Sequence, residues 1–192
     1  FRSIMEFHAA QQAYQNVSTV GFRTFLKVDG KYYEPFYNEY TKEEGVERVM
    51  YIGSNEMEVD EKNPMEGIQI NSLDCTLPNE DIGGLVRQVT LKNISKKTLQ
   101  VEFLDGMPQV IPYGVDLSSM KMMGQTVKAW MQVQNVEEKV PFYSVRASLE
   151  DSAVVKEVKG GHFYFTMTEK GELLPAIVDS EVVFMQNTSL TR

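Results

Sequence analysis

Hydrophobic and polar residues alternate along most of this chain with a period of two, the period of a β-strand that has one buried face. The clearest case is Phe22 to Val28, which is followed by Asp29-Gly30 and by an aromatic run from Lys31 to Phe36. Asp-Gly between two alternating runs favours a type I′ turn, because both central residues of that turn need positive φ angles. The pattern therefore predicts a β-hairpin.

More segments of strand character follow at short intervals, separated by turn formers such as Asn63-Pro64 and Gly83-Gly84. In the first half we predict strands at Val46 to Ser54, Glu56 to Val59, Gly67 to Leu73, Leu85 to Asn93 and Leu99 to Leu104. In the second half we predict them at Pro141 to Ser148, Ala153 to Val158, His162 to Thr168, Leu173 to Val178 and Glu181 to Gln186. Short strands at regular spacing indicate a sandwich or barrel and not a βαβ fold.

One segment has the helical period instead. Between Asp116 and Gln134, apolar side chains recur every three or four residues, at Met120, Met123, Val127, Trp130 and Met131. We predict an amphipathic crossover helix, capped at its start by Asp116 or Ser118, whose apolar stripe lies on an apolar surface. A second, short helix is predicted from Ser3 to Gln15.

Together these elements predict a mostly β protein: an antiparallel β-sandwich with one crossover amphipathic helix and a short N-terminal helix. No repeat of 20 to 50 residues and no linker-like composition is visible, so we expect one domain over residues 1–192. A chain of this length can bury about 70% of the surface that it exposes when unfolded, which is enough for a real core.

The few cysteines and histidines limit the chemistry. Cys75 is the only cysteine, so an intrachain disulfide cannot form, and the only histidines are His8 and His162. The Cys/His sets of zinc sites are therefore missing, and we expect no metal and no cofactor. A chain without disulfides fits the cytoplasm, where we expect this protein, although a start at Phe1 is also compatible with a removed leader.

Charge and hydropathy argue against nucleic acids and membranes as partners. The net charge is -8, from 27 acidic and 19 basic residues, and no Lys/Arg run exceeds Lys96-Lys97. Nucleic acids and anionic membranes are poor partners for such a surface. The longest apolar runs are far shorter than the about 20 residues of a membrane-spanning helix.

Acidic residues form two candidate sites. Glu56 and Glu58 lie two apart in a predicted strand, close to Asp60 and Glu61, and paired carboxylates can act as acid and base or bind a cation. We favour a solvated strand face, because carboxylates are seldom buried.

The second acidic candidate is a turn. Glu80 and Asp81 precede Gly83-Gly84 in a loop that could reach a ligand or the rim of an active site. Turn chemistry alone explains the same residues, and we favour that reading.

Aromatic residues and one histidine give the candidates for sugar binding. A dense cluster comprises Tyr32, Tyr33, Phe36, Tyr37 and Tyr40, and flat aromatic faces often line sugar clefts. Pairing across the hairpin explains the cluster equally well, and we favour it; Tyr33 and Tyr37 are kept as carbohydrate candidates. His162, after Gly160-Gly161, could be an acid/base group for sugar chemistry, although an edge-of-strand histidine is the favoured interpretation.

The helix also carries candidates for an interface. Met122 falls off its apolar stripe, and methionine with Trp130 could form an adaptable contact with a neighbouring domain. Gly-x-Ser-x-Gly, Gly-rich phosphate loops and HExxH are absent from the sequence, and we predict no catalytic residue.

Several stretches resemble a known family. Gly84-Leu-Val-Arg87-Gln-Val-Thr90-Leu-Lys-Asn93-Ile-Ser95, followed by Leu104-Asp-Gly-Met-Pro108, is similar to the N-terminal β-sandwich of large inverting glycoside phosphorylases. These are the cellobiose and chitobiose phosphorylases and the related cyclic β-glucan synthases. Val140 to Ser148 resembles the strand after the helix in cellobiose-phosphorylase-like proteins, and Met50 to Gly53 is similar to the same subgroup.

The resemblance implies a galactose-mutarotase-like supersandwich that precedes an (α/α)₆ catalytic barrel, which this chain lacks. In that family the catalytic acid and the phosphate-binding residues belong to the barrel, so the chain alone is expected to be inactive. The sandwich packs on the barrel, contributes to a homodimer and can lend a loop to the active-site rim. The tryptophan-rich sugar loop of better-known relatives has no counterpart here.

Three functions follow as expectations: a non-catalytic sandwich of a carbohydrate-active enzyme, with its own downstream catalytic domain as partner; a free-standing carbohydrate-binding module; and a mutarotase-like sugar epimerase.

Overall fold

The computed structural model of the chain describes residues 4–5, 18–19, 21–37, 45–149, 152–185 and 187. The predicted helix from Ser3 to Gln15 lies almost wholly outside these residues, as do His8 and Tyr40. The chain divides into two compact units. Of the described residues, we call those of 24–106 the sandwich unit, and those of 4–23 and 107–187 the helix unit. The prediction of one domain stays a prediction.

The described residues are mostly β, as predicted. The strands are β1 Arg23–Val28, β2 Lys31–Tyr33, β3 Glu47–Ile52, β4 Glu56–Asn63, β5 Ile68–Thr76, β6 Leu85–Asn93, β7 Val101–Gly106, β8 Met131–Gln134, β9 Phe142–Val145 and β10 His162–Phe163. The helices are α1 Leu117–Trp130 and α2 Ser180–Phe184. The sheets have the orders β2-β1-β7, β3-β4-β5-β6 and β10-β9-β8, and their assigned registers are antiparallel.

The first hairpin confirms the turn prediction. Asp29 and Gly30 both have positive φ angles, 48° and 87°, and Leu26 pairs with Tyr33 across the two strands. The turn also holds the start of β7, because Asp29 N–H donates to the Gln100 carbonyl at 2.9 Å and Gln100 N–H donates to Asp29 Oδ1 at 2.9 Å. A locally encoded turn thus fixes a contact between distant parts of the sequence.

In the sandwich unit, alternation places apolar side chains of two sheets in one core. Leu26 and Val28 of β1 pack with Ile68 and Ile70 of β5 and with Tyr33 of β2. Partly buried Phe36, Val89 and Leu99 pack against them. Successive strand residues point to opposite faces, so the spacing of two in β1 and β5 selects this shared face. The unit is β-sandwich-like.

The helix unit has its own core. Val127 of α1 packs with Val145 of β9 and with Ile111 and Val115, and Met120 and Met131 lie partly buried against them. Asp116 caps α1 as predicted, since its Oδ1 accepts the Ser119 N–H at 2.8 Å. The helix is kinked at Met123, which has non-helical angles (φ -130°, ψ 26°) next to the flexible Gly124. Among the described residues, no helix combines the length and the apolar character needed to cross a membrane.

The prediction that the helix extends to Gln134 is wrong. The helix ends at Trp130, and Met131–Gln134 forms β8, which pairs with β9. These residues fit the helical stripe but also alternate, and pairing with β9 satisfies their backbone groups with a partner that local periodicity does not reveal.

The later part of the chain has fewer strands than predicted. Ala153 to Val158 contributes one bridge, between Ala147 and Glu157, and Leu173 to Val178 contributes one, between Met167 and Leu173. The strand predicted from Glu181 is wrong, because Ser180–Phe184 is a helix capped by Asp179, whose Oδ1 accepts the Glu181 N–H at 2.9 Å. An aspartate before an acidic first turn is a helix start signal that the strand interpretation overlooked.

Candidate functional site

Arg87 lies at the centre of an ion-pair cluster that joins the two sheets of the sandwich unit. Its Nη1 donates to both oxygens of Asp74 on β5, at 3.1 and 2.9 Å, and its Nε donates to Asp105 Oδ1 on β7 at 3.2 Å. Its Nη2 donates to Thr24 Oγ1 on β1 at 2.9 Å, and that hydroxyl donates to Asp105 at 2.6 Å. Ser72 Oγ donates to Asp74 at 2.9 Å. We call these five residues the Arg87 cluster.

Burial and charge oppose each other at Asp105. The carboxylate is mostly removed from solvent, and burial raises its pKa above the usual value, although Arg87 and the Thr24 hydroxyl act in the opposite direction. The guanidinium thus stabilises two carboxylates, because its five N–H groups can donate hydrogen bonds to both of them at once.

Glu61 lies at the centre of a second cluster, in which the central group is a carboxylate and not a guanidinium. This fully buried carboxylate accepts hydrogen bonds from the Tyr33 hydroxyl, from the Phe36 backbone N–H at 2.9 Å and from Arg48 Nε at 2.6 Å. Arg48 also forms an ion pair with it, and its Nη2 donates to the Tyr37 carbonyl at 3.0 Å. Burial and the neighbouring carboxylate raise the pKa of Tyr33. We call Tyr33, Phe36, Arg48 and Glu61 the Glu61 cluster.

The sequence did not single out Glu61 as buried. Glu61 lies on the same face of β4 as Val59 and Asn63, both buried, whereas Glu58 and Asp60 lie on the other face. Strand parity therefore contained a signal, because the acidic run divides between two faces. Glu58 and Asp60 lie on a partly solvated face and have polar partners. Asn71 Nδ2 donates to Glu58 at 2.6 Å, and Gln69 Nε2 donates to Asp60 at 3.0 Å.

The loop with Glu80 and Asp81 connects β5 and β6 and is closed by a hydrogen bond from Leu77 N–H to the Gly84 carbonyl at 3.1 Å. Both carboxylates are exposed, and Asn79 has a positive φ of 61°. Turn geometry accounts for these residues, and a role at an active-site rim stays a prediction.

The predicted sugar-binding tyrosines separate. Tyr33 is only 4% exposed, so its ring packs in the core instead of facing a ligand, and its hydroxyl contacts Glu61. Tyr37 is half-exposed. The two residues therefore do not form one aromatic platform.

His162 is tethered inside the helix unit. Its Nδ1 lies 2.7 Å from the Ile111 carbonyl, which only accepts, so Nδ1 carries the proton of that bond. The edge of the ring meets Tyr113, with 5.5 Å between centroids. A Cβ on Gly161 would collide with the ring of Phe142, which explains why glycine precedes this histidine. The favoured interpretation, an edge-of-strand histidine, fits these contacts.

The residues after His162 form an exposed apolar surface. Phe163 and Phe165 are 52% and 44% exposed, and their rings are nearly parallel, with 7° between planes and 6.3 Å between centroids. Tyr164 faces the other side, where its hydroxyl is 2.6 Å from Thr166 Oγ1. Further along the chain, the exposed Met167 forms an isolated antiparallel β-bridge with Leu173. We call Phe163, Phe165, Met167 and Leu173 the aromatic strip.

The interface candidates on α1 are both open to solvent. Met122 is 75% exposed and Trp130 is 42% exposed. Of the predicted stripe, Val127 is buried and Met120 and Met131 are partly buried, whereas Met123, at the kink, and Trp130 are exposed.

The described residues contain no group of three or more His, Cys, Asp or Glu side chains that could hold a metal ion. Comparison of the chain with protein families, with curated proteins and with solved structures finds no match. Its described residues form a β-sandwich-like unit of two antiparallel sheets and a helix-containing unit.

Proposed function

We propose that the chain is the non-catalytic, supersandwich-type domain of a carbohydrate-active enzyme of the glycoside phosphorylase or hydrolase kind, and that it packs on a separate (α/α)₆ catalytic domain. The observation that carries the proposal is the role of Arg87. This arginine opens the Arg-x-Val-Thr stretch that resembles the phosphorylase sandwiches, and it joins β1, β5, β6 and β7 through one guanidinium.

The other residues of that stretch also act within the scaffold. Asn93 Oδ1 accepts the Ser95 N–H at 2.9 Å, and its Nδ2 donates to the Lys97 carbonyl at 2.7 Å. An asparagine that bonds to the backbone two residues on is typical of a turn. The shared residues thus support a shared scaffold, with chemistry supplied elsewhere.

Exposed side chains on α1 support packing against another domain. Met122 presents a flexible thioether and Trp130 an aromatic ring, and both residue types are enriched in interfaces.

The test compares the chain with the product of its full reading frame. Each is assayed with a panel of β-linked disaccharides, with and without inorganic phosphate. We expect turnover by the longer product and none by the chain alone. Turnover by the isolated chain, or a reading frame that encodes no helical domain, would overturn the proposal.

A second experiment tests whether Met122 and Trp130 of α1 contact the catalytic domain. This chain and the proposed catalytic domain are made as separate polypeptides, and their association is measured. Trp130→Ala and Met122→Asp should weaken their association about tenfold or more, because buried aromatic anchors dominate interface energies. Met65→Asp, an equally exposed methionine in the turn between β4 and β5, is the control and should leave association unchanged. Equal effects of all three variants would argue against docking through α1.

The aromatic strip favours a second candidate, a carbohydrate-binding module. Two exposed, nearly parallel phenyl rings could stack on the apolar faces of sugar rings. Calorimetric titration with β-glucans and oligosaccharides tests it: Phe163→Ala should abolish binding, whereas Phe103→Ala, an equally exposed residue of β7, should not. Absence of any affinity tighter than millimolar across the panel would contradict it.

A further inference from the structure

Strand β3 forms one edge of the four-stranded sheet, and it carries four consecutive exposed apolar residues. These are Val49, Met50, Tyr51 and Ile52, with 46%, 55%, 57% and 78% of their surface exposed. In the described part of the chain, β3 pairs with β4 alone. An open edge of this length and hydrophobicity is a template for another strand.

The hydrogen-bond pattern shows which backbone groups point outward. Gly53 N–H donates to the Glu56 carbonyl at 2.9 Å, which makes these two residues a hydrogen-bonded pair at the end of the hairpin. Hydrogen-bonded and non-hydrogen-bonded pairs alternate in antiparallel strands, so Tyr51 and Val49 bond to β4. The N–H and C=O groups of Met50 and Ile52 therefore face away from the sheet.

The devices that protect natural edges are missing from this stretch. Val49 to Ile52 contains no proline, no lysine and no other charge. The neighbouring Arg48 is held by Glu61 and by the Tyr37 carbonyl, so its guanidinium does not guard the edge. Only Glu47, at the start of the strand, keeps an exposed charge.

The edge is complementary to itself. If a second copy pairs antiparallel about a two-fold axis at Tyr51, Met50 lies opposite Ile52 of that copy, and Ile52 lies opposite its Met50. Both pairs use the outward N–H and C=O groups. On the other face the two Tyr51 rings meet, and Val49 lies opposite Gly53. Every central pair then joins apolar residues or glycine, and no like charges are opposed.

We propose that β3 is a homodimer interface, through which two copies of this chain join their four-stranded sheets into one continuous sheet. The pairing is isologous, because the same strand contributes both sides. It does not depend on carbohydrate chemistry, so the proposed enzyme domain and this interface can fail separately.

Cysteine cross-linking tests the register. In a Cys75→Ser background, Tyr51→Cys places two thiols at a non-hydrogen-bonded pair with Cα atoms about 4.5 Å apart, within the range of a disulfide. Val49→Cys is the matched control on the same face. Its two copies would be four residues out of register, about 14 Å apart, too far for a disulfide. We expect a covalent dimer from Tyr51→Cys and little from Val49→Cys.

Sedimentation velocity of the whole chain tests the surface, at about 0.15 M salt so that the net negative charges are screened. Ile52→Lys should raise the dimer dissociation constant about tenfold or more, since lysine guards natural edges. Met65→Lys should leave it unchanged, and far-UV circular dichroism checks that both variants fold. A wild-type chain that stays monomeric, an Ile52→Lys variant that dimerises normally, or equal cross-linking at positions 49 and 51 would overturn the proposal.

Discussion

The two polar clusters of the sandwich unit are opposites. In the Glu61 cluster one buried carboxylate receives donors from the surrounding residues, whereas in the Arg87 cluster one cation lies between two carboxylates. Losing the central group has different consequences. Without Glu61, one cation is left, Arg48, whose side chain is 15% exposed and whose long flexible stem allows the guanidinium to move to water. Without Arg87, two like charges are left near each other, on the short side chains of Asp74 and Asp105, which are 13% and 14% exposed. The comparison teaches that the charge left behind, and its route to water, sets the cost of breaking a buried pair.

The largest expected effect follows from removing the shared cation. Arg87→Met should lower the free energy of unfolding by about 3–5 kcal/mol, because it leaves Asp74 and Asp105 buried without their partner. Urea unfolding monitored by circular dichroism measures it. Lys92→Met, on the exposed face of the same strand, is the control and should stay within about 0.5 kcal/mol of wild type. Similar values for the two variants would break the comparison.

Removing the charge of the other cluster should cost less. Glu61→Gln keeps the shape but weakens charge-assisted hydrogen bonds, and we expect a loss of about 1.5–3 kcal/mol in the free energy of unfolding. Glu58→Gln, on the opposite face of β4, serves as the control and should change stability only slightly. If Glu61→Gln destabilised the protein more than Arg87→Met, the proposed asymmetry would be wrong.

A smaller effect is expected for the hydroxyl that connects Arg87 to Asp105. Thr24→Val keeps the side-chain volume but removes one hydrogen bond from Arg87 and one to Asp105, which should cost about 1–3 kcal/mol. Thermal unfolding of this variant and of Thr90→Val, an exposed threonine on β6, gives the comparison. An unchanged midpoint for Thr24→Val would mean that the hydroxyl adds nothing to the ion pairs.

The pH dependence of stability gives the finest test. Burial raises the pKa of Asp105 above 3.8, so the folded state holds its proton more tightly than the unfolded state does. The stability that this proton contributes is fully present below pH 3.8 and is lost as the pH rises through the folded pKa. The free energy of unfolding of the wild type minus that of Asp105→Asn should therefore become smaller as the pH rises above 3.8, because only the wild type loses this contribution. A difference that grows with pH over this range would show that the ion pair with Arg87 outweighs burial.

Local signals predicted some elements well. The Asp29-Gly30 turn needs only two residues that tolerate positive φ, and the start at Asp116 needs only a side chain that accepts a free N–H, so both follow from neighbouring residues. The end of α1 does not, because β8 forms only when β9 lies beside it. The same holds for Ala153 to Val158, where suitable strand residues make a single bridge.

The candidate site divides in the same way. Aromatic density correctly drew attention to the hairpin, but the sequence could not tell which ring was enclosed: Tyr33 is buried and Tyr32 is half-exposed. The sequence has an aromatic run from Phe163 to Phe165, but the parallel arrangement of the rings of Phe163 and Phe165 depends on how β10 pairs with β9.

By itself, the sequence determined a mostly β chain, its first hairpin, the start of its helix and the scarcity of cysteine and histidine, because these depend on composition and on contacts between near neighbours. Tertiary structure decided that Glu61 is buried, that Arg87 joins two sheets and that β3 lies at an edge. Those properties depend on which strands become neighbours, because Thr24 and Arg87, which are 63 positions apart in the sequence, come together only when the sheets pack.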